Sequence, residues 1–168
     1  GAGTWTRYFL EASSKANFDL VDISPAMLNQ AARNLEKFRN IKYIGSDFLD
    51  FIPEKKYDLF FSSRAIEYMP DKKAAVKKIA ILLKSGGKGF IITKNPKYLK
   101  SRLIGRQIQK LHSGQIAPWV LATILAQSGF KNIKVYPVTF VFPLFGSAVL
   151  NKLLYKLFSP FRLNPLSS

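Results

Sequence analysis

The sequence predicts a single α/β domain built on a doubly wound, mostly parallel sheet. Short apolar runs alternate along the chain with helical patterns of ten or more residues, which is the order that parallel strands and their crossover helices require. Polar residues stand where the apolar runs end, at the sheet edge where such folds bind ligands. With 168 residues, 48% of them apolar, the chain can build one core but not two independent ones.

The first half predicts two strands separated by a helix. Residues 18–22 form an apolar run that ends in Asp22, and residues 41–44 form the second run. Ser24 is the predicted N-cap of the intervening helix, and Pro25 occupies its first position. The predicted inner face of this helix consists of apolar residues at helical spacing: Met27, Leu28, Ala31, Ala32, Leu35 and Phe38.

The second half continues the alternation. Residues 57–61 predict a buried strand, and Asp71 caps a helix that runs to Leu83 and is stopped by the Ser-Gly-Gly segment at 85–87. The next predicted strand covers residues 89–93. We expect a further helix over 118–127, ended by Gly129, and a strand over 133–136.

The start of the chain predicts a ligand-binding turn. Gly1 and Gly3 precede an amphipathic stretch that contains Tyr8, Phe9 and Leu10, so a glycine turn leads into a helix N-terminus that favours an anionic group. Asp22 follows 21 residues after Gly1, at a strand end where a carboxylate can accept from both hydroxyls of a ribose. This pair suits a dinucleotide as well as S-adenosylmethionine.

A longer series of segments makes the prediction specific. In chain order these are GAGT (1–4), DISPAML (22–28), SDF (46–48), YDLFFSS (57–63), RAIEYMPD (64–71), LLKSGG (82–87) and SGF (128–130). Their order and spacing resemble the motif set of class I S-adenosylmethionine-dependent methyltransferases, whose fold is Rossmann-like. The resemblance covers about residues 1–136 and is nearest to the small-molecule branch that includes the ubiquinone-pathway O-methyltransferases.

The resemblance implies a role for each cofactor-binding position. The backbone of Gly1, Ala2 and Gly3 approaches the methionine part of S-adenosyl-L-methionine. Asp22 holds the ribose and Asp47 accepts from the adenine amino group. The remaining assigned positions are Ile23, Met27 and Phe48 around the adenine ring, and the backbone of Ser62 and Ser63 at the sulfonium end.

Plainer interpretations stay open for several of these residues. Asp22 and Asp47 are also typical of turns that follow strands, and Met27 and Phe48 are also typical of core packing. Trp5 occupies the family's third glycine position. An indole there raises the alternative of a non-catalytic, membrane-associated relic of the fold in which the cofactor is blocked.

The resemblance also predicts the domain organisation. Residues 1–136 correspond to the methyltransferase core, and residues 137–168 to an apolar, basic extension made of a strand end and an amphipathic helix. The family's first strand, which lies centrally between the strands ending at Asp22 and Phe61, has no counterpart in this chain. We therefore expect the native protein to be longer at its N-terminus.

Catalytic and acceptor-binding residues are predicted from position. His112, the single histidine, falls in the connection before the 118–127 helix, where related enzymes border the acceptor pocket, and is a candidate general base. Glu67 and Tyr68 follow the 57–61 strand and are further catalytic candidates, Glu67 alternatively being an exposed acid at a helix start. Arg64 is a candidate contact for an anionic substrate.

Charge is distributed unevenly along the chain. The net charge is +16, all ten carboxylates lie at or before Asp71, and 17 Lys or Arg follow without any acid. Such a field attracts anions. An amphipathic helix in the region 144–158 suits an anionic membrane surface and hence a lipid-linked acceptor, or packs on its own domain or a second subunit. A basic half also admits an RNA methyltransferase, although no RNA-binding module is recognisable.

The function predicted from these features is methyl transfer from S-adenosylmethionine to a small or lipid-like acceptor by in-line displacement. The chain contains no cysteine, which excludes disulfides and thiolate metal sites, and no metal is predicted. The predicted location is cytoplasmic. Peripheral attachment to the inner face of a membrane is the alternative location.

Overall fold

A computed structural model describes residues 1–13, 15–94 and 114–136 of the chain. These residues belong to two compact units, Gly1–Lys56 and Tyr57–Ser168. The predicted C-terminal helix and His112 lie outside the described residues. None of the helices within the described ranges is long and apolar enough to cross a bilayer.

The Gly1–Lys56 unit contains α1 (Thr4–Ala12), β1 (Phe18–Asp22), α2 (Pro25–Asn34) and β2 (Ile41–Gly45). The two strands pair in parallel, from Phe18 opposite Ile41 to Asp22 opposite Gly45. Both helices contribute to a small core in which Leu10, Ala31 and Leu35 have no exposed surface. The predicted strands and their direction are therefore confirmed here.

Local chemistry explains where α2 begins and ends. The Ser24 hydroxyl accepts from the Met27 amide at 3.4 Å, and Pro25 occupies the first turn, where its missing N–H has no cost. The helix ends at Asn34 with Leu35 as its C-cap, so the predicted continuation to Phe38 is wrong. Leu35 stays on the buried side, and the Phe38 amide closes a turn on the Leu35 carbonyl at 2.9 Å.

The Tyr57–Ser168 unit contains β3 (Tyr57–Ser63), a 3₁₀ turn (Ile66–Tyr68), α3 (Lys72–Leu82), β4 (Leu83–Ile92) and α4 (Pro118–Gln127). Strands β3 and β4 pair in parallel, and α3 packs against both β4 and α4. The core includes Ile66, Val76 and Ile79. Asp71 caps α3 by accepting from the Ala74 amide at 2.9 Å, as predicted.

Strand β4 begins earlier than predicted. It starts at Leu83, which pairs with Tyr57, and the ladder resumes with Lys88 opposite Leu59. Residues 84–87 have no partner in this register and interrupt the ladder, and Gly86 among them adopts φ +76°. The Ser-Gly-Gly segment interrupts a strand rather than linking a helix to one.

Two further strand predictions are corrected. Strand β3 is less buried than expected, since Leu59 is 39% exposed and, among the described residues, only β4 pairs with it. Residues 133–136 form no strand. Val135 and Tyr136 are exposed, and no described segment pairs with them, so the run has no ladder in which to satisfy its backbone.

Candidate functional site

The glycine turn forms as the sequence predicts. Gly3 adopts φ +79°, a left-handed conformation that favours glycine, and its carbonyl accepts from the Arg7 amide at 3.0 Å to begin α1. A methyl group on Gly3 would lie 2.8 Å from Leu35 Cδ1 and 3.4 Å from Ala31 Cβ. Gly3 therefore allows both the turn and the close approach of α1 to α2.

Two polar side chains that sequence reasoning missed fix this turn. Asn34 Nδ2 donates to the Ala2 carbonyl at 2.9 Å, and Arg7 Nη2 donates to the Asn34 carbonyl at 2.6 Å. The contacts join residues 27 and 32 positions apart, so no local sequence pattern could have revealed them. They hold the Ala2 peptide against the end of α2.

Asp22 lies beside the glycine turn, at the carboxyl end of β1. Its Oδ1 accepts from the Ser24 amide at 2.9 Å, and its Oδ2 accepts from the Gly1 nitrogen. Burial by itself would raise the pKa of this carboxyl, but hydrogen bonds from the Gly1 nitrogen and the Ser24 N–H hold the pKa below its ordinary value. Asp22 is thus charged at neutral pH, and one of its oxygens points to the turn.

Asp47 follows the neighbouring strand. Asp22 and Gly45 are opposite each other in the ladder, and the Ser46 amide donates to the Asp22 carbonyl at 3.3 Å. Asp47 Oδ1 accepts from the Leu49 amide at 2.8 Å, and the side chain is exposed. Both aspartates therefore accept from an amide two residues ahead, as expected for an Asp in a turn after a strand. In each, the Oδ2 atom takes no part in that turn.

The apolar residues assigned to the adenine differ in accessibility. Ile23 is 71% exposed directly after Asp22, whereas Met27 and Phe48 are half-buried. Trp5 is 43% exposed, and its ring lies 6.0 Å from that of Tyr8, one turn along α1. The indole thus packs along its own helix.

A cavity of about 300 Å³ opens on the other face of the β1–β2 sheet. Asp19, Lys42 and Ile44 line it. Strand alternation places these side chains on one face of the sheet and the Asp22 side chain on the other face. The cavity is separate from the predicted cofactor residues. In the described ranges, no group of His, Cys, Asp and Glu side chains is arranged to hold a metal ion.

In the second unit, the segment after β3 is tightly constrained. Ser62 is 8% exposed, and its hydroxyl has no hydrogen-bond partner among the described residues. Arg64 adopts φ +65°, which is uncommon for a residue with a side chain, and its amide donates to the Ile92 carbonyl at 2.8 Å. Such strain persists only where surrounding contacts enforce it.

Glu67 supplies those contacts. Its Oε1 lies 2.7 Å from Arg64 Nε and accepts from the Lys94 amide at 2.8 Å. Thr93 Oγ1 donates to the same oxygen at 3.4 Å. The side chain is only 3% exposed, so the interpretation of Glu67 as an exposed acid is wrong. The carboxylate links the carboxyl ends of β3 and β4.

The backbone of this segment is equally enclosed. A methyl group on Gly114 would lie 1.6 Å from the Glu67 carbonyl oxygen, so the chain passes directly over it. Lys72 Nζ donates to the Glu67 carbonyl at 3.3 Å and to the Met69 carbonyl. Desolvation lowers the pKa of Lys72, and the negative charge of Glu67 opposes this shift.

Tyr68 and Ser63, the other predicted site residues near Glu67, are more exposed than Glu67. Tyr68 is 63% exposed, and Ser63 is half-buried at the end of β3. The side chains of Arg64 and Glu67 form an ion pair. The exposed side chain of Tyr68 takes no part in it. Sequence reasoning missed Lys72, the Lys94 amide and Gly114, whose contacts with Glu67 depend on chain segments up to 47 positions away.

Comparisons with known proteins identify the family to which the chain is similar. A family model described as a methyltransferase domain matches residues 1–87. Malonyl-[acyl-carrier protein] O-methyltransferase 1 of Ilyobacter polytropus is 34% identical over 103 residues, covering 61% of this chain and 38% of that protein. Trans-aconitate 2-methyltransferase of Enterobacter sp. is 33% identical over 87 residues, covering 52% and 33% respectively.

A solved structure supports the fold. The N-methyltransferase NodS of Bradyrhizobium japonicum, crystallised with S-adenosyl-L-homocysteine, superimposes with a TM-score of 0.59 at 18% identity, covering 75% of this chain and 60% of that one. This likeness confirms the Rossmann-like class. The chain spans between a third and two fifths of the length of the two curated relatives. Because the family model matches more than half of the residues, the chain belongs to the methyltransferase domain family.

Proposed function

We propose that this chain binds S-adenosylmethionine and directs its methyl group to a carboxylate oxygen of a small acyl acceptor. The observation that carries the proposal is the convergence of the glycine turn and the Asp22 carboxylate at one end of β1. Family membership supports methyl transfer, and two relatives are named for acceptors that contain carboxylates.

The Gly1–Lys56 unit carries the residues that would hold the adenosine and the methionine part. Gly1 and Ala2 present backbone without bulky side chains, and nothing lies within 4 Å of a methyl group placed on Gly1. Asp22 offers a charged acceptor to the ribose hydroxyls, and Asp47 offers an exposed one to an amino group. Ile23 supplies an exposed apolar surface that a purine ring would cover.

The chemistry favours a carboxylate acceptor over a hydroxyl. When bound, the cofactor supplies a methyl group on a sulfonium, so that attack by the acceptor oxygen breaks the carbon–sulfur bond and leaves the electron pair on sulfur. A carboxylic acid with a pKa of about 4 is already ionised at neutral pH and needs no general base. Glu67 is consistent with a structural role here, because its buried Oε1 forms an ion pair with Arg64 and accepts from the Lys94 amide.

Arg64 is the proposed contact for an acceptor carboxylate. Its side chain is 37% exposed, and its Nε lies 2.7 Å from Glu67 Oε1, so the guanidinium is anchored by an ion pair at the end of β3 while part of it stays accessible. Rapid methyl transfer depends on such positioning of the acceptor. His112, a predicted base, lies outside the described residues and remains a prediction.

Two measurements test this function. Titration with S-adenosyl-L-homocysteine should give saturable heat, and incubation with labelled S-adenosylmethionine should convert malonyl-pantetheine or trans-aconitate to a base-labile methyl ester. Arg64→Gln should raise the KM for the acceptor by about 10–100-fold, the effect of losing one charged hydrogen bond. Lys84→Gln, a matched loss of charge at the exposed Asp58 pair, should leave the KM unchanged.

The outcomes separate the alternatives. An absence of cofactor binding would favour the non-catalytic relic predicted from Trp5. Cofactor binding together with methylation of RNA, but of no carboxylate, would favour the nucleic-acid alternative.

A further inference from the structure

Helix α3 uses one face internally and presents another to solvent. Its buried residues, Ala75, Val76, Ile79 and Leu82, pack toward α4 and β4. Lys73, Lys77 and Ile81 are exposed, Ile81 by 65%. At about 100° per residue, these three side chains lie within an arc of about 80°, and we name them the α3 basic face.

This face is electrostatically unfavourable for the isolated fold. Lys73 and Lys77 are four positions apart, where like charges repel, and Lys73 stands in the first turn, where the helix dipole disfavours a cation. All ten carboxylates of the chain precede Lys72 and belong to the described residues. None of them forms an ion pair with Lys73 or Lys77.

The composition of the face selects among anionic partners. A helix that lies in a membrane surface needs a broad exposed apolar face, but the apolar face of α3 is buried within the protein. Single-stranded RNA needs aromatic side chains for base stacking, and the α3 basic face has none. One apolar residue beside cations instead matches a protein interface with an apolar centre and a polar rim.

The position of the face relates it to the acceptor segment. Helix α3 begins at Lys72, directly after the segment that holds Arg64 and Glu67, and Lys72 itself contacts the Glu67 carbonyl. From Lys73 to Ile81 the face extends about 12 Å along the helix. A protein docked there would deliver a tethered acyl group from the N-terminal end of α3.

We propose that the α3 basic face docks an acidic carrier protein that presents the acyl acceptor as a thioester. The proposal rests on the proposed function, which it deepens by naming the partner. Lys73 and Lys77 steer the acidic surface toward the helix, and Ile81 provides the apolar contact. Docking of this kind depends strongly on ionic strength.

The test measures docking without requiring catalysis. Fluorescence anisotropy of a labelled malonyl acyl-carrier protein is followed as the 168-residue chain is added at low and at physiological salt. Wild type should bind, and Lys73→Glu combined with Lys77→Glu should weaken binding by about tenfold or more, since charge reversal replaces attraction with repulsion. Ile81→Ser should weaken it less, because only one apolar contact is lost.

A matched control changes the net charge by the same amount elsewhere. Lys37 and Lys55 are exposed and are not part of the α3 basic face, so Lys37→Glu combined with Lys55→Glu should bind the carrier within about twofold of wild type. Equal weakening in both double variants would show a non-specific charge effect and would overturn the proposal. Failure of wild type to bind the carrier at low salt would also overturn it.

Two probes distinguish the other anionic partners. Phosphatidylglycerol vesicles and polyuridylate are titrated with the same variants, and the proposal predicts that neither responds specifically to Lys73→Glu and Lys77→Glu. A specific loss of vesicle or RNA binding with unchanged carrier binding would contradict it. Titration with S-adenosyl-L-homocysteine reports on the proposed function separately, because none of these substitutions touches a cofactor residue.

Discussion

Carboxylates at strand ends serve different purposes in the two units of this protein. In the Gly1–Lys56 unit, the Oδ1 atoms of Asp22 and Asp47 each accept a hydrogen bond from a turn amide, and their Oδ2 atoms take no part in those turns. In the second unit, Glu67 is buried, and its Oε1 lies against Arg64, the Lys94 amide and Thr93. Position after a strand therefore does not by itself identify a ligand-binding carboxylate, because the same position also suits a buried structural acid such as Glu67.

The largest loss of stability is expected at Gly3 in the first unit, where an added methyl group would meet Leu35. Gly3→Ala forces a side chain into a left-handed conformation and against Leu35, and should lower the free energy of unfolding by about 2–4 kcal/mol. Thermal unfolding followed by circular dichroism measures this. Gly1→Ala is the control, since nothing lies within 4 Å of the added methyl group, and equal losses in both variants would refute the packing argument.

The next effect concerns the buried acid of the second unit. Glu67→Ala removes the ion-pair partner of Arg64 and the acceptor of the Lys94 amide, and should cost about 2–3 kcal/mol, a value reduced because Arg64 is partly exposed. Denaturant unfolding gives the loss. If Glu67→Ala were as stable as wild type, Glu67 would not be the structural link between β3 and β4.

A smaller effect is expected at the start of α3. Asp71→Ala removes the side chain that accepts from the Ala74 amide and should destabilise the protein by about 1 kcal/mol. Asp71→Asn keeps an accepting oxygen and should recover most of the loss in the same thermal assay. A loss in Asp71→Asn as large as in Asp71→Ala would show that charge, rather than capping, is responsible.

The smallest effect is the pH dependence of Asp22. Because its pKa is lower in the folded state than its ordinary value of 3.8, its contribution to stability is present above that value and is lost as the pH falls through the lower folded pKa. Acid unfolding of wild type and Asp22→Asn should therefore differ at neutral pH, begin to converge as the pH falls below about 3.8, and coincide only below the lower folded pKa. Curves that stay parallel at all pH values would contradict the assigned shift.

The features that the sequence predicts correctly are those set by neighbouring residues. Ser24 and Asp71 cap the helices assigned to them because the cap and its amide lie three residues apart. The conformation of Gly3 and the parallel direction of the strands follow in the same way from glycine placement and from the alternation of elements.

The features that were missed depend on distant contacts. The start of β4 is set by pairing with Tyr57, and the burial of Glu67 by Lys94 and Gly114. Residues 133–136 have strand composition but no described partner, and composition cannot show whether a partner is present. Asn34, which holds the glycine turn, looks in the sequence like any polar residue at a helix end.

The central claim is that the Asp22 carboxylate, at the end of β1, binds the cofactor. Calorimetric titration of S-adenosyl-L-homocysteine into wild type, Asp22→Asn and Asp19→Asn tests it most directly, since Asp19 lies on the same strand but faces the opposite side of the sheet. We predict that Asp22→Asn weakens binding by about tenfold or more, as expected for loss of a charged acceptor, and that Asp19→Asn binds like wild type. Equal affinity in Asp22→Asn and wild type would contradict the account.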